Sequence, residues 1–273
     1  MAIVEAGGFY EVDNGNFSVV PGLALSAPFL GTAVPFQQQP LVDWGLVSTA
    51  QAGAGGRQIH YAQGKTLGGS SALNSMAFHR ATNGTYQRWA DIVGDESYTF
   101  ANLLPYFKKS VQLTPPNLAK RNTPNATTVY DPSVFSKFGG PLQVSWGNWV
   151  DPPFTWFQKA FKAIGLPISP VNFNSGILFG YAAWIPSTIS PIDATRSSSQ
   201  SSFLAQSIEY PNLVVYTQAR ANRVFFNGTV ATGVSVATQG VNFTISAKKE
   251  VILSAGVFHT PQLLMLSGMS ILS

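Results

Sequence analysis

Cysteine is absent from the 273 residues, which excludes a disulfide framework and any thiolate chemistry. Charge is nearly as scarce. Asp, Glu, Lys and Arg make up 10% of the chain, against about a quarter in an ordinary globular domain. Disorder needs high charge with low hydrophobicity, and with 45% hydrophobic residues the chain reads as globular, one large domain or two small ones. The net charge of +4 comes from scattered basic residues, whereas nucleic-acid binders gather theirs on one face; no nucleic-acid partner is expected. Long apolar runs are missing too. None approaches the ~18–20 residues that span a bilayer, and no secretory leader is visible at the start.

What is present begins with five Asn-x-Ser/Thr acceptors, at Asn16, Asn83, Asn125, Asn227 and Asn242, a tilt toward a secreted glycoprotein. Ala2 to Glu5 reads as a short buried strand ending in Gly7-Gly8. Residues 9–56 show no sustained period and contain Pro21, Pro28, Pro35 and Pro40; so long an excursion in a compact domain is usually functional. Helical spacing marks 85–92 and 99–110, with Phe100, Leu103, Leu104 and Phe107 on one face. Residues 111–152 read as loops with a short strand near Leu142–Val144, and a helix over 153–164 is closed by Gly165 and Pro167. The last third predicts strands at Leu213–Thr217, Val224–Asn227 and Val251–Leu253. It also predicts a hairpin of Thr229–Val236 and Val241–Ser246 and a helix from Pro261 to Leu266.

The segment most suggestive of chemistry is Gly64-Lys65-Thr66-Leu67-Gly68-Gly69-Ser70-Ser71-Ala72-Leu73-Asn74. Consecutive glycines let the backbone approach a ligand and aim its amides at an anion. A helix expected after Ser71 would add its N-terminal dipole, and Lys65 a full charge. A tight turn with a serine cap is the plain alternative. Two other readings fail. A P-loop ending at Gly64-Lys65-Thr66 needs an earlier glycine where Ile59 stands, and a dinucleotide fingerprint from Gly53 needs one where Gln58 stands.

Gly64 to Gln87, GKTLGGSSALNSMAFHRATNGTYQ, resembles the first signature of the glucose-methanol-choline (GMC) family of FAD-dependent oxidoreductases. Gly256 to Gly268, GVFHTPQLLMLSG, is similar to the second, departing from it at Val257 and, just beyond, at Ser270. Val4-Glu5-Ala6-Gly7-Gly8 resembles the second strand of the family's FAD-binding unit, and NLLPYFKKS over 102–110 a further family stretch. Thr260 would cap the second motif's helix, Pro261 open it and Gly268 close it.

The resemblance implies an α/β fold: an FAD-binding Rossmann-type domain, incomplete here, over 1–110 and 202–273, with an inserted α+β substrate domain over 111–201. It implies that Glu5, with Ala6 beside it, binds the adenosine ribose. Lys65, Leu67, Gly68, Gly69 and Ser70 would approach the diphosphate. Asn74, Ser75, Met76 and Ala77 would lie along the ribityl chain and flavin, Ala221 against the adenine, and Gly256 beside the cofactor. Leu73 stands where some members carry a histidine bonded to FAD, so the FAD would be noncovalent. His60, His79 and His259 receive no catalytic role, and no metal site is expected.

The implied activity is oxidation of an alcohol CH–OH on a small molecule, by hydride transfer to flavin. Some fungal members instead keep FAD structurally and catalyse a cyclisation. A non-catalytic truncated gene product is a third reading. Relative to the family, the glycine-rich turn before Ala2 and the histidine base after Ser273 are missing, so the resemblance implies no turnover by this chain alone.

Overall fold

The computed structural model of the chain describes residues 1–24, 26–27, 30–181 and 184–269. The elements run β1 (Ala2–Val4), α1 (Tyr10–Asp13), α2 (Asn16–Val19), α3 (Pro21–Ala24), β2 (Leu46–Val47), β3 (His60–Tyr61), α4 (Asn83–Val93), α5 (Phe100–Ser110) and β4 (Val111–Leu113). They continue as β5 (Leu142–Val144), α6 (Pro152–Ala163), α7 (Ala205–Ser207), β6 (Val214–Tyr216), β7 (Arg220–Asn227), β8 (Val230–Thr238), β9 (Val241–Ser246) and α8 (Gly256–Leu266). They fall into two compact units, Met1–Asn74 with Leu204–Ser273, and Ser75–Phe203. The chain divides after Asn74 and again after Phe203, so α4 and α5 belong to the second unit.

In the first unit β1 lies parallel to β6, with Ala2 opposite Val214 and Val4 opposite Tyr216. A parallel pair needs a long crossover, and here the connection takes in the whole second unit. β7, β8 and β9 form an antiparallel meander. Its β8–β9 turn has Gln239 at φ 47° and Gly240 at φ 80°, the left-handed pair whose twist matches that of the flanking strands. Val224 and Val236 turn inward and are almost completely buried. α8 is pinned to β7 through Ser267, whose hydroxyl accepts from the Val224 amide at 2.8 Å and donates to the Leu263 carbonyl at 2.6 Å. Behind α8, Gly268 at φ 86° lets Met269 donate to the Leu264 carbonyl at 3.0 Å, the closing bond of a Schellman cap.

In the second unit α4 is capped by Thr82, whose hydroxyl accepts from the Thr85 amide at 3.0 Å, and it ends at Gly94 in the left-handed region. α5 sets Phe100 and Phe107 against Tyr86 of α4, with ring centroids 5.8 and 5.6 Å away. β4 and β5 pair in parallel. Val111, Val134, Phe135 and Val144 form the core beneath them, with Phe78, Leu104, Leu113 and Leu142 packed around it. Burying each such side chain contributes ~1.5–3 kcal/mol.

Three expectations are corrected here. Val251–Leu253 is not a strand: no ladder forms beside it among the described residues, and Ile252 is 72% exposed. No helix follows Ser71. A single 3-10 turn, Gly69–Ala72, stands there, because Gly68 and Gly69 take positive φ and the Gly-Gly-Ser-Ser-Ala-Leu-Asn run has little helical preference. α8 starts at Gly256 rather than Pro261, and its N-cap is Ala255, not Thr260. Pro261 therefore sits inside the helix and cannot donate to the Val257 carbonyl, but Val257 is exposed and water can take that bond. Ser270, where the second motif departs from the family pattern, lies outside the described residues.

Candidate functional site

In the first unit, a glycine-rich crossing packs against the end of β1. The strand's hydrogen bonds run on past Val4: Glu5 donates to the Tyr216 carbonyl at 2.9 Å, and its own carbonyl accepts from Ala219 at 2.8 Å. The Glu5 side chain turns back to take the Gly7 amide at 2.8 Å. Burial pushes its carboxyl up from the ordinary glutamate value, and the Gly7 and Ala6 N–H groups and the Lys65 ammonium pull it back down. Half-buried, the carboxylate keeps its second oxygen for a further donor, such as a hydroxyl.

Gly64–Ser70 crosses directly over this strand end. Leu67 donates its amide to the Gly8 carbonyl at 2.9 Å, and the Thr66 hydroxyl donates to the same oxygen at 2.8 Å. The approach leaves no room for side chains. A Cβ at Gly7 would lie 1.9 Å from the Lys65 carbonyl oxygen, and one at Gly64 would lie 2.3 Å from the Gly69 backbone. Glycine is therefore required at both places by packing. At the turn itself, Gly69 donates to the Thr66 carbonyl at 2.7 Å and Ser71 to the Gly68 carbonyl at 3.1 Å. The Ser70 hydroxyl accepts from the Gly64 amide at 3.1 Å and Ser70 is exposed. The Lys65 ammonium donates to the Pro40 carbonyl at 2.9 Å and lies 5.6 Å from the Trp44 ring, so its charge stays beside the segment.

The residues before Gly64 fasten it from behind. His60 is fully buried, with Nε2 3.0 Å from Asp43 Oδ2 and Nδ1 2.8 Å from the Gly31 carbonyl. It stacks on Phe36 at 3.5 Å. A carbonyl can only accept, so Nδ1 carries a proton, and the His60–Asp43 pair is structural. Asp43 also takes the Gln63 amide at 2.8 Å. The Gln63 side chain reaches α8, its Nε2 lying 3.2 Å from the Ala255 carbonyl and 3.2 Å from His259 Nδ1. His259 packs on Trp44 at 4.2 Å. Burial pushes its imidazole down from the ordinary value, and Arg220 adds to the shift.

The other expected residues are dispersed. Ala221 pairs with Val236 in the meander, two residues past the Ala219 amide that meets Glu5. Gly256 opens α8 with φ 87° and is exposed. Leu73 is buried with Ala27 and Val42. Asn74 ends the first unit, while Ser75, Met76 and Ala77 begin the second. There the Met76 carbonyl accepts from Thr188 at 2.8 Å and Ala77 bridges to Ser187. Met76 holds φ 62° while 4% exposed, a conformation that costs a non-glycine residue on the order of 1 kcal/mol or more.

Sequence reasoning passed over Gln63, Trp44, Ala219 and Asp43. Only Gln63 and Ala219 carried a usable signal, Gln63 beside the Gly64 motif and Ala219 two residues before Ala221; the other two become visible only through long-range pairing. A dinucleotide suits the donors and acceptors of the first unit. A desolvated carboxylate stands at the strand end, and the Gly7–Lys65 and Gly64–Gly69 approaches form a side-chain-free wall beside it. Gln63 Oε1 is buried without a partner.

The chain matches a family described as GMC oxidoreductase over residues 3–271. A glucose methanol choline oxidoreductase of Aspergillus terreus is 51% identical over 272 residues, 98% of this chain and 43% of that protein. Patulin synthase of Aspergillus clavatus is 48% identical over 98% of the chain and 42% of its own length. For versicolorin B synthase of Aspergillus parasiticus the figures are 42%, 98% and 41%. Among solved structures, an FAD-dependent oxidoreductase from Chaetomium thermophilum aligns with a TM-score of 0.81 at 29% identity, over 98% of this chain and 43% of that one. Formate oxidase from Aspergillus oryzae, in a variant made to study FAD modification, aligns at 0.76 and 28%, again over 98% and 43%. The chain thus spans less than half the length of the relatives it matches.

Proposed function

Because the chain belongs to the GMC oxidoreductase family, an α/β fold with a Rossmann-type FAD-binding domain and FAD as cofactor, we propose that it forms the nucleotide-holding part of an enzyme that oxidises the CH–OH group of a small-molecule alcohol. The observation that carries this reading is the crossing of Gly64–Ser70 over the end of β1, which leaves a glycine wall beside the desolvated Glu5 carboxylate. When bound, FAD supplies the hydride acceptor. The chain's own residues bind and orient it. Glu5 accepts from the ribose hydroxyls, Gly68, Gly69 and Ser70 border the diphosphate, and Asn74 to Ala77 line the path toward the flavin. Leu73 has no group to bond the flavin covalently, so the cofactor is held noncovalently. Within the second unit, 111–201 supplies part of the substrate domain. No catalytic base is assigned within the chain. We further propose that the protein is secreted and glycosylated; the five sequons support this.

Relatives of two kinds, patulin synthases and versicolorin B synthases, are named as synthases, which favours a second reading in which FAD stays bound without turning over in the product-forming step. The test is to purify the full-length protein with its flavin and add candidate alcohols anaerobically. Bleaching of the flavin band near ~450 nm supports alcohol oxidation. A retained flavin that no alcohol bleaches, in a protein that still forms product, moves the assignment to the second reading.

A further inference from the structure

Gln63 and His259 draw together three parts of the first unit: the Asp43–Trp44 segment, the Gly64–Ser70 crossing and the start of α8. Through its backbone Gln63 donates to Asp43 Oδ1 at 2.8 Å and accepts from the Trp44 amide at 3.1 Å. Its side chain spends both amide hydrogens on α8, one toward the Ala255 carbonyl and one toward His259 Nδ1. That second bond fixes a tautomer. Nδ1 must accept, so the proton of a neutral His259 is on Nε2. The carboxamide cannot turn over without placing its oxygen against the Ala255 carbonyl. Gln63 Oε1 is thereby held in one direction, buried and without a partner. The fit is tight, since a Cβ at Gly256 would fall 2.3 Å from Gln63 Nε2.

We propose that Gln63 and His259 are positioning residues for the cofactor: neutral His259 holds the Gln63 side chain, which holds the Gly64–Ser70 crossing in its nucleotide-binding shape, and a proton on His259 releases it. The inference rests on the FAD reading of that crossing. A protonated Nδ1 repels the donor it used to receive and breaks the bond. The surroundings oppose that proton. Arg220, at the start of β7, faces the imidazole as a cation. Lys65 lies on the same Trp44 that His259 packs against. The Asp43–His60 pair stands behind Gln63, with Asp43 spent on His60 and on the Gln63 amide. Burial and Arg220 both push the imidazole down, so the neutral form persists below the ordinary histidine value and release belongs to the acid side of about pH 6.5.

The test measures the FAD dissociation constant of the full-length protein by flavin fluorescence, at about pH 8 and about pH 5.5. It compares wild type, His259→Gln and Gln63→Leu, and thermal midpoints confirm that each variant is folded. In wild type, affinity should fall roughly three- to tenfold on acidification, the worth of one hydrogen bond. His259→Gln, whose side chain can accept but does not titrate, should show a smaller acid step, what remains being the part that Glu5 contributes as its raised carboxyl takes a proton. Gln63→Leu should bind roughly three- to tenfold more weakly already at pH 8 and show the same reduced step. An undiminished acid step in folded His259→Gln, or wild-type affinity in Gln63→Leu at pH 8, overturns the inference while leaving the FAD reading intact. A wild-type protein that retains no FAD at either pH overturns both.

Discussion

Glu5 shows how one residue can serve a ligand at the expense of the unliganded fold. Its carboxyl is raised by burial, so the folded chain holds the proton more tightly than the unfolded chain does. The stability this contributes is complete below the ordinary glutamate value of 4.5 and is lost as pH rises through the folded value. At neutral pH an ionised, desolvated Glu5 therefore weakens the FAD-free protein. Glu5→Gln should raise the thermal midpoint of the FAD-free protein at pH 7 but not at pH 4, and should weaken FAD retention at pH 7. A midpoint difference that does not grow with pH would show that the carboxylate is not held at a cost. Gly7 tests the wall beside it. Alanine there puts a Cβ 1.9 Å from a carbonyl oxygen, and backbone cannot swing aside as a side chain can. Gly7→Ala should cost roughly 1–3 kcal/mol of stability, read by denaturant unfolding, and should abolish FAD retention in whatever remains folded.

Among the elements, those legible in the sequence are the ones whose signals are local. The hairpin over Gln239–Gly240 was marked by alternation and a turn glycine, α6 by Gly165 and Pro167 beyond its end, and α5 by the spacing of Phe100, Leu104 and Phe107. Val251–Leu253 misled because a short apolar run looks like a strand whether or not a neighbour lies beside it. β4 was missed for the converse reason: Val-Gln-Leu has no distinctive pattern until β5 arrives from 142–144. The Asp43–His60 pair belongs with these non-local features, joining the bridged Asp43 to β3, a link that no periodicity reveals. It is buried and hydrogen-bonded on all sides, so removing one partner strands the other. His60→Ala should cost about 3–5 kcal/mol and loosen the segment that carries Gly64, whereas replacing the exposed His79 should change little. Urea unfolding of the two variants side by side decides it, and near-equal midpoints would refute the structural weight given to the pair.

At the scale of the whole molecule, the order of motifs along the chain identified the family and so the fold, but the sequence could not show where one compact unit gives way to the next. The first boundary falls inside the glycine-serine motif itself, after Asn74, and a motif read as one string gives no sign of being shared. Most of the expected cofactor contacts, from Glu5 through Gly69 and again at Ala221 and Gly256, belong to the first unit. Ser75, Met76 and Ala77 open the second, held by the 187–188 backbone. This partition makes a prediction for hydrogen exchange. FAD at a hundredfold excess over its dissociation constant adds about 2.7 kcal/mol to any opening that must release it. In the full-length protein, amides of β1, of the 64–72 crossing and of β6 should slow by an amount approaching that limit, and those around 76–77 and 187–188 should follow. Amides of α6, which carries none of the expected contacts, should exchange at nearly their FAD-free rate if the units open separately. Equal slowing across α6 and β1 would mean that the two units open as one, and uniform indifference would mean that the nucleotide is held elsewhere.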